Sequence, residues 1–162
     1  MRRPFQAGCL LCLAVLLSAS CTSAPVRQAD GYTPSIGEKA AHIATAMIGK
    51  PYRYQGESPS GFDCSGLVRY SYRAAGLDVP HGTEALKNRT RPIGTNMQIG
   101  DLLFFNERRK QYSHVGIFIG GSAFIHAPSS GGQVRKESLE DPYWKSTFVD
   151  ARRFMEPPEV PR

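Results

Sequence analysis

The order of two hydrophobic periodicities constrains the fold of this chain most. Apolar residues recur at helical spacing in residues 36–47 and 64–75, whereas they alternate at strand spacing from residue 102 onward. Helices that precede a run of strands, without regular alternation of the two, indicate an α+β domain with an antiparallel sheet. We therefore expect N-terminal helices packed on a central antiparallel β-sheet.

Both predicted helices have clear ends. Ser35 followed by Glu38 is a capping box, and Gly49 with Pro51 stops the helix that follows it. The second helix begins after Asp63, a good N-cap residue, and ends at Gly76. Strands are predicted at residues 102–105, 113–119, 123–127, 133–136 and 147–153.

The first 20 residues have the pattern of an export signal. Two arginines and no acids precede an apolar run that is too short to cross a bilayer, and small residues lead to Cys21. Residues 16–21, Leu-Leu-Ser-Ala-Ser-Cys, resemble a lipobox, in which the cysteine is lipidated. The usual leucine is displaced by one position, so cleavage by an ordinary signal peptidase is the alternative.

The expected organisation has one folded domain. Its parts are a signal peptide (1–20), a lipid-anchor tether (21–34), the domain (35–156) and a disordered tail (157–162). Without the two arginines of the leader the formal net charge falls from +6 to +4, a mild excess that suits contact with an anionic matrix or membrane surface. Because the basic residues are not concentrated in one run, we expect no nucleic-acid partner. The absence of a coiled-coil pattern favours a monomer.

Cys64 is the cysteine that export and processing do not account for. Cys9 and Cys12 lie in the leader and Cys21 lies at its end, so no pair is left for a disulfide. An unpaired thiol in an oxidising compartment is either buried or used. As the first residue of the inward helix face, Cys64 is interpreted either as a small core residue or as a nucleophile. At a helix start, free N–H groups and the helix dipole favour the thiolate.

A nucleophilic thiol needs a base, and the predicted hairpin offers His114 and His126. A turn of two glycines would put these histidines on opposite faces of the sheet. A three-residue loop, which pairs Ile119 with Ala123, would put them on the same face. The three-residue loop also places the apolar residues of the hairpin together on the opposite face. We therefore predict the register with this loop.

One cysteine and two histidines are also potential metal ligands. Three ligands are one short of a closed structural zinc site, and the spacings of 50 and 12 residues match no short zinc pattern. A catalytic zinc with three ligands and water is the alternative. We expect neither a metal nor another cofactor.

Six segments resemble, in the same order, those of the NlpC-type cell-wall peptidases, which are papain-like cysteine hydrolases of bacterial peptidoglycan. The segments are Pro51-Tyr52-Arg53-Tyr54, Ser60-Gly61-Phe62-Asp63-Cys64-Ser65-Gly66-Leu67-Val68, Gly100-Asp101-Leu102-Leu103-Phe104-Phe105, Ser113-His114-Val115-Gly116-Ile117-Phe118, Phe124-Ile125-His126-Ala127-Pro128, and Tyr143-Trp144 with Ala151-Arg152-Arg153. The resemblance covers nearly all of residues 37–154. It implies a papain-like fold with the nucleophilic cysteine at a helix N-terminus.

The resemblance also implies roles for individual residues. Cys64 would be the nucleophile, His114 the general base and then acid, and His126 the group that orients His114. For substrate binding, Tyr54 would lie beside the thiol, while Asp63 and Ser65 would help to bind the free amine and carboxylate of the substrate. Trp144 is expected in the core or the cleft wall.

The chain departs from the family pattern in two places beside the expected cleft. Relatives commonly have Pro-Arg, then Ser or Thr, then Gln, where this chain has Pro80-His81-Gly82-Thr83-Glu84. Tyr-Gly-Gly has become Tyr54-Gln55-Gly56. We interpret His81 as a loop histidine, and the changes affect the expected preference for substrate.

The function that the resemblance implies is hydrolysis of peptide bonds in peptidoglycan stem peptides or cross-links, through an acyl-enzyme. The alternatives are a non-catalytic peptidoglycan-binding lipoprotein, and an acyltransferase or amidase on the same fold. Permuted acyltransferases place the histidine before the cysteine, whereas Cys64 comes first here. A lipid anchor on Cys21 followed by Thr22 would direct the protein to the outer membrane, facing the periplasm. A soluble periplasmic or secreted protein is the alternative location.

Overall fold

The computed structural model describes residues 35–107, 110–130 and 132–155. The predicted signal peptide, the tether with Cys21, and the C-terminal tail lie outside the described residues. None of the helices within these ranges is long and apolar enough to cross a bilayer.

The two predicted helices precede the predicted strands, and shorter elements that were not predicted lie among them. The helices are α1 (Ile36–Ala46), α2 (Cys64–Ala74), α3 (Thr83–Asn88) and α4 (Pro142–Thr147). The strands are β1 (Glu57–Ser58), β2 (Gly61–Phe62), β3 (Thr90–Pro92), β4 (Leu102–Phe105), β5 (His114–Gly120), β6 (Ala123–His126), β7 (Arg135–Ser138) and β8 (Phe148–Phe154). Six strands form one antiparallel sheet in the order β3-β8-β4-β5-β6-β7, while β1 and β2 form a separate pair. The expected α+β architecture is confirmed.

Both predicted helix starts are confirmed by their hydrogen bonds. The N–H of Glu38 donates to Ser35 Oγ at 3.1 Å, and the N–H of Ser35 donates to Glu38 Oε2 at 2.7 Å, which completes the capping box. At the start of α2, the N–H of Gly66 donates to Asp63 Oδ1 at 2.7 Å. The first backbone N–H groups of a helix have no partner within the helix, and these side chains accept hydrogen bonds from them. Each helix therefore begins where the sequence predicts.

The sheet has an apolar layer on each face. The face that packs against α1 and α2 carries Val115, Ile117, Ile125 and Ala127, all fully buried. The opposite face carries an aromatic cluster of Leu103, Phe105, Phe118, Phe124, Ala151 and Trp144. His114 and His126 alternate with the first set along their strands and therefore lie on the second face.

Away from the turn, β5 and β6 pair in the predicted register, but the turn itself differs from the predicted one. Ile117 pairs with Ile125, as the three-residue loop requires, but Gly120 rather than Ile119 pairs with Ala123. The predicted Ile119–Ala123 pair is therefore wrong. Gly120 and Gly121 adopt φ values of +101° and +61°, which permit a tight turn, and a bulge absorbs the extra residue.

Several short elements were not predicted. Helix α4 replaces the first residue of the predicted strand 147–153, and β7 begins two residues later than expected. A local signal for α4 is present, because Asp141 caps the helix through the N–H of Tyr143 and Pro142 stands at its first position. Helix α3 and strand β3 were also missed, and β3 forms the edge of the sheet beside β8.

Candidate active site

The start of α2 fits closely against the preceding turn. The N–H of Asp63 donates to the carbonyl of Gly56 at 2.9 Å, and a Cβ on Gly66 would lie only 1.9 Å from that oxygen. Glycine at position 66 therefore allows the helix to approach the turn. The result places Cys64, the free cysteine among the described residues, partly exposed at the first position of the helix.

The two histidines of the hairpin are hydrogen-bonded to each other. His114 Nε2 and His126 Nδ1 are 2.8 Å apart, and the rings are nearly perpendicular. Both residues are buried, with exposed fractions of 3% and 0%. The same-face arrangement predicted from the register is thus confirmed. Among the described residues, no three His, Cys, Asp or Glu side chains are grouped so that they could hold a metal ion.

Trp144 holds this histidine pair in the sheet. Its ring stacks on His114 with centroids 5.7 Å apart, and meets His126 edge to face at 4.7 Å. The tryptophan is 4% exposed, which confirms its predicted place in the core or wall. Because α4 carries Trp144, an element that the sequence analysis missed restrains both rings.

Glu107 lies on the other side of His114. Its Oε2 is 3.6 Å from His114 Nδ1, the ring nitrogen that does not face His126. Tyr143 donates its hydroxyl hydrogen to Glu107 Oε1 at 3.2 Å, and the N–H of Glu107 donates to Ser113 Oγ at 2.6 Å. Glu107 is not among the site residues predicted from the sequence. Only an acidic residue seven positions before His114 could have indicated it, and that is a weak signal.

The thiol of Cys64 is protonated in the resting site. Burial and, to a smaller extent, the negative charge of Asp63 raise the pKa of Cys64 to about 12. Backbone groups of Val115 and Ser65 favour the thiolate, but they do not offset burial. The thiolate expected from the helix start is therefore wrong for this resting state. The backbone of Val115 contacts the Cys64 sulfur, and Val115 follows His114 in β5. The thiol therefore lies near the beginning of that strand.

Both imidazole rings are neutral near pH 7. Burial lowers the pKa of His114 to about 4, and the positive charge of Arg135 acts in the same direction, whereas Asp63 opposes it. For His126, burial, then His114 and Arg135, lower the pKa to about 2. His126 Nε2 is buried without a hydrogen-bond partner among the described residues. Near pH 7 the Cys64 thiol and the His114 imidazole are therefore a neutral pair, with the proton on the sulfur.

Asp63 makes more contacts than an N-cap needs. Besides Gly66, its Oδ1 accepts from Ser65 Oγ at 3.0 Å, and its Oδ2 accepts from the N–H of Gln55 at 3.0 Å. His81 Nε2 lies 2.9 Å from one carboxylate oxygen and 3.0 Å from the other. His81 does lie in a loop, as predicted, but it is paired with the residue that precedes the thiol. This contact was not predicted from the sequence.

The remaining predicted binding residues differ in exposure. Ser65 is buried at 5% exposure and bonded to Asp63, whereas the Tyr54 side chain is 77% exposed. The structure thus brings Asp63, Cys64 and Ser65 together at the start of α2, and leaves the Tyr54 ring on the surface. Gln55, the residue after Tyr54, donates its N–H to Asp63 and so links the position of Tyr54 to the start of α2.

Comparison with known proteins identifies the group to which this papain-like α+β domain belongs. The model of the NlpC/P60 family matches residues 49–153, and the chain belongs to that family. It is 37% identical over 139 residues to the murein DD-endopeptidase MepH of Escherichia coli, covering 80% of this chain. It is 37% identical over 116 residues to the probable peptidoglycan endopeptidase LytE of Bacillus subtilis, covering 72% of this chain.

A solved structure has the same fold. The crystal structure of a protein similar to lipoprotein, NLP/P60 family, from Staphylococcus aureus matches with a TM-score of 0.69 and 30% identity. The match covers 78% of this chain and 43% of that one. The chain likewise spans 51% of MepH and 34% of LytE. The matched relatives are therefore considerably longer than the segment they share with this chain.

Proposed function

We propose that this protein is a cysteine endopeptidase that hydrolyses peptide bonds in peptidoglycan stem peptides or their cross-links. One observation carries the proposal: His114 on β5 is hydrogen-bonded to His126 on β6, and the β5 backbone meets a partly exposed cysteine at a capped helix start. The names of MepH and LytE support peptidoglycan as the substrate class.

In the proposed mechanism, His114 acts first as a base. Its Nε2 donates to His126 Nδ1. The other ring nitrogen of His114, Nδ1, then has a lone pair that can accept the proton of the Cys64 thiol. The resulting thiolate attacks the amide carbonyl and forms a tetrahedral intermediate. His114 then gives its proton to the leaving nitrogen, and the C–N bond breaks.

Hydrolysis of the acyl-enzyme reverses the direction of the proton. Water gives a proton to His114 as it attacks the thioester, and the Cys64 sulfur leaves and recovers that proton. The negative charge that develops on the carbonyl oxygen needs donors. The first N–H groups of a helix have no partner within the helix, so the N–H of Cys64 is available for the oxyanion.

The proposed substrate-binding residues are Tyr54, Asp63 and Ser65. The exposed Tyr54 ring is available to cover a bound peptide, and the Asp63 carboxylate offers a negative charge for a free amine. Ser65 holds Asp63 in place through its hydroxyl. The residues that would contact substrate thus surround the start of α2, where the nucleophile lies.

We further propose a monomer held in the cell envelope by a lipid on Cys21, with residues 21–34 as tether, residues 35–156 as catalytic domain and residues 157–162 as disordered tail. The export pattern of residues 1–20 supports this location. Mass analysis of the mature N-terminus tests the anchor. A diacylglyceryl cysteine at position 21 is expected, whereas an unmodified terminus would favour the soluble alternative. Light scattering should give the mass of a single chain.

The activity is tested by mass analysis of purified muropeptides, monomeric and cross-linked, after incubation with the protein. Cleavage should occur with the unmodified chain and with His42→Ala, an exposed control on α1, but not with Cys64→Ala. The product masses identify the bond. Binding without cleavage would instead support the peptidoglycan-binding lipoprotein, and transfer of an acyl group to an added amine would support the acyltransferase.

A further inference from the structure

Donors of the chain itself fill the acceptor positions of the Asp63 carboxylate. Its two oxygens offer about four acceptor positions, and four donors approach them: the N–H groups of Gln55 and Gly66, the hydroxyl of Ser65, and the His81 ring. The proposed function requires the same carboxylate to receive the free amine of the substrate. One of the four donors must therefore leave when that amine binds.

Three of these donors are fixed by the backbone that builds the site. Gly66 and Ser65 belong to the first turn of α2, and both are buried. The N–H of Gln55 belongs to the turn that packs on this helix, where Gln55 adopts the left-handed conformation with φ of 56°. Removing any of the three would disturb the helix start that carries Cys64.

His81 differs from the other donors in its attachment. It lies in the loop between α2 and α3, and its side chain is 26% exposed, so that the ring has a way into solvent. The next residue, Gly82, has a φ of +100° and nothing within 4 Å of the position of a Cβ. The loop position and the exposure of the ring make His81 the donor that can be exchanged.

The position of the ring also resembles that of a bound cation. His81 Nε2 lies almost equally far, 2.9 Å and 3.0 Å, from the two oxygens of Asp63. An ammonium group in the same place would bridge both oxygens with two separate N–H groups, and its charge would strengthen these bonds. A substrate amine is therefore a better partner for Asp63 than the ring.

We propose that His81 occupies the amine-binding position on Asp63 in the empty protein, and that the free amine of a stem peptide displaces it. This inference rests on the proposed function, because it assigns the specificity of the same site. The ring then weakens the binding of amine-bearing peptides by the free energy of its own contact with Asp63. It also keeps the carboxylate satisfied when no substrate is present.

The test measures binding by calorimetry in the Cys64→Ala chain, so that it does not depend on hydrolysis. The probes are a stem tripeptide with a free N-terminal amine and its N-acetyl derivative. Adding His81→Ala should lower the Kd of the amine-bearing peptide about two- to tenfold, the range of a single hydrogen bond. The acetylated peptide should bind weakly and equally to both chains, and His42→Ala should change neither value.

Three results would overturn the inference: a Kd that rises with His81→Ala, an equal change for both peptides, or no binding of the tripeptide by either chain. The first two would make His81 a structural support of Asp63. Thermal unfolding verifies that the variants fold. His81→Asn replaces His81→Ala in the same comparison if the alanine variant does not fold. Failure of the proposed function itself is distinguishable, since it appears as a lack of hydrolysis by the unmodified chain.

Discussion

Gly66 lies so close to the carbonyl of Gly56 that a Cβ on Gly66 would be 1.9 Å from the oxygen. The same oxygen accepts the N–H of Asp63 at 2.9 Å. One backbone carbonyl thus connects the turn, the N-cap and the first turn of α2. The position of the Cys64 sulfur depends on this contact, because Cys64 lies between Asp63 and Gly66.

The substitution Gly66→Ala should destabilise the domain by about 3 kcal/mol or more, because the backbone oxygen that it meets cannot move aside without breaking the cap. Chemical denaturation measures the change in the free energy of unfolding. Gly76→Ala is the control, since a Cβ there meets no atom within 4 Å and only the φ of +105° is unfavourable. We expect a cost of about 1 kcal/mol for this control. Equal losses in both variants would contradict the steric explanation.

The substitution His126→Gln should lower kcat by about 100-fold or more, because His114 would lose the partner that fixes its ring and tautomer. The KM for muropeptides should change little, since His126 is fully buried and away from solvent. His42→Gln makes the same substitution on an exposed helix face and should have no effect. A loss expressed mainly in KM would assign His126 to substrate binding instead.

The substitution Arg135→Gln should move the acid limb of the kcat/KM profile to higher pH. Burial and then the charge of Arg135 lower the pKa of His114, so removing that charge makes the imidazolium easier to form. His114 then loses its function as a base at a higher pH. Arg135 is paired with Glu137 Oε1 at 2.7 Å, and the carboxylate left behind acts in the same direction.

Lys136→Gln removes the same charge from the next residue of β7, which is exposed, and serves as the matched control. It should shift the limb less than Arg135→Gln does. Because the two rings are hydrogen-bonded, the limb reports the titration of the pair. A shift to lower pH, or equal shifts in both variants, would exclude Arg135 as the charge that tunes His114.

Local signals predicted the parts of this site that neighbouring residues determine. Asp63 caps α2 as expected, because an N-cap depends on residues within one helical turn. The shared face of His114 and His126 followed from apolar alternation, since a slip of one residue would have exposed the core face. Even the wrong pair at Ile119 left that face unchanged, because the turn and its bulge together give the predicted Ile117–Ile125 pair.

Contacts between distant segments were not predictable in the same way. Trp144 and His81 reach the site from loops and short helices whose course depends on tertiary packing. The protonated state of Cys64 was missed for a related reason. A sequence shows that a thiol begins a helix, but not how far burial outweighs the helix dipole.

The central claim is that Cys64 and His114 act as one catalytic unit, and a mutant cycle on muropeptide hydrolysis tests it most directly. Residues that act as a unit give strongly non-additive losses. Cys64→Ala, His114→Ala and the double variant should therefore show the same residual rate, while circular dichroism shows a retained fold. If either single variant keeps more than about a tenth of the activity, or if the two losses multiply in the double variant, the claim is contradicted.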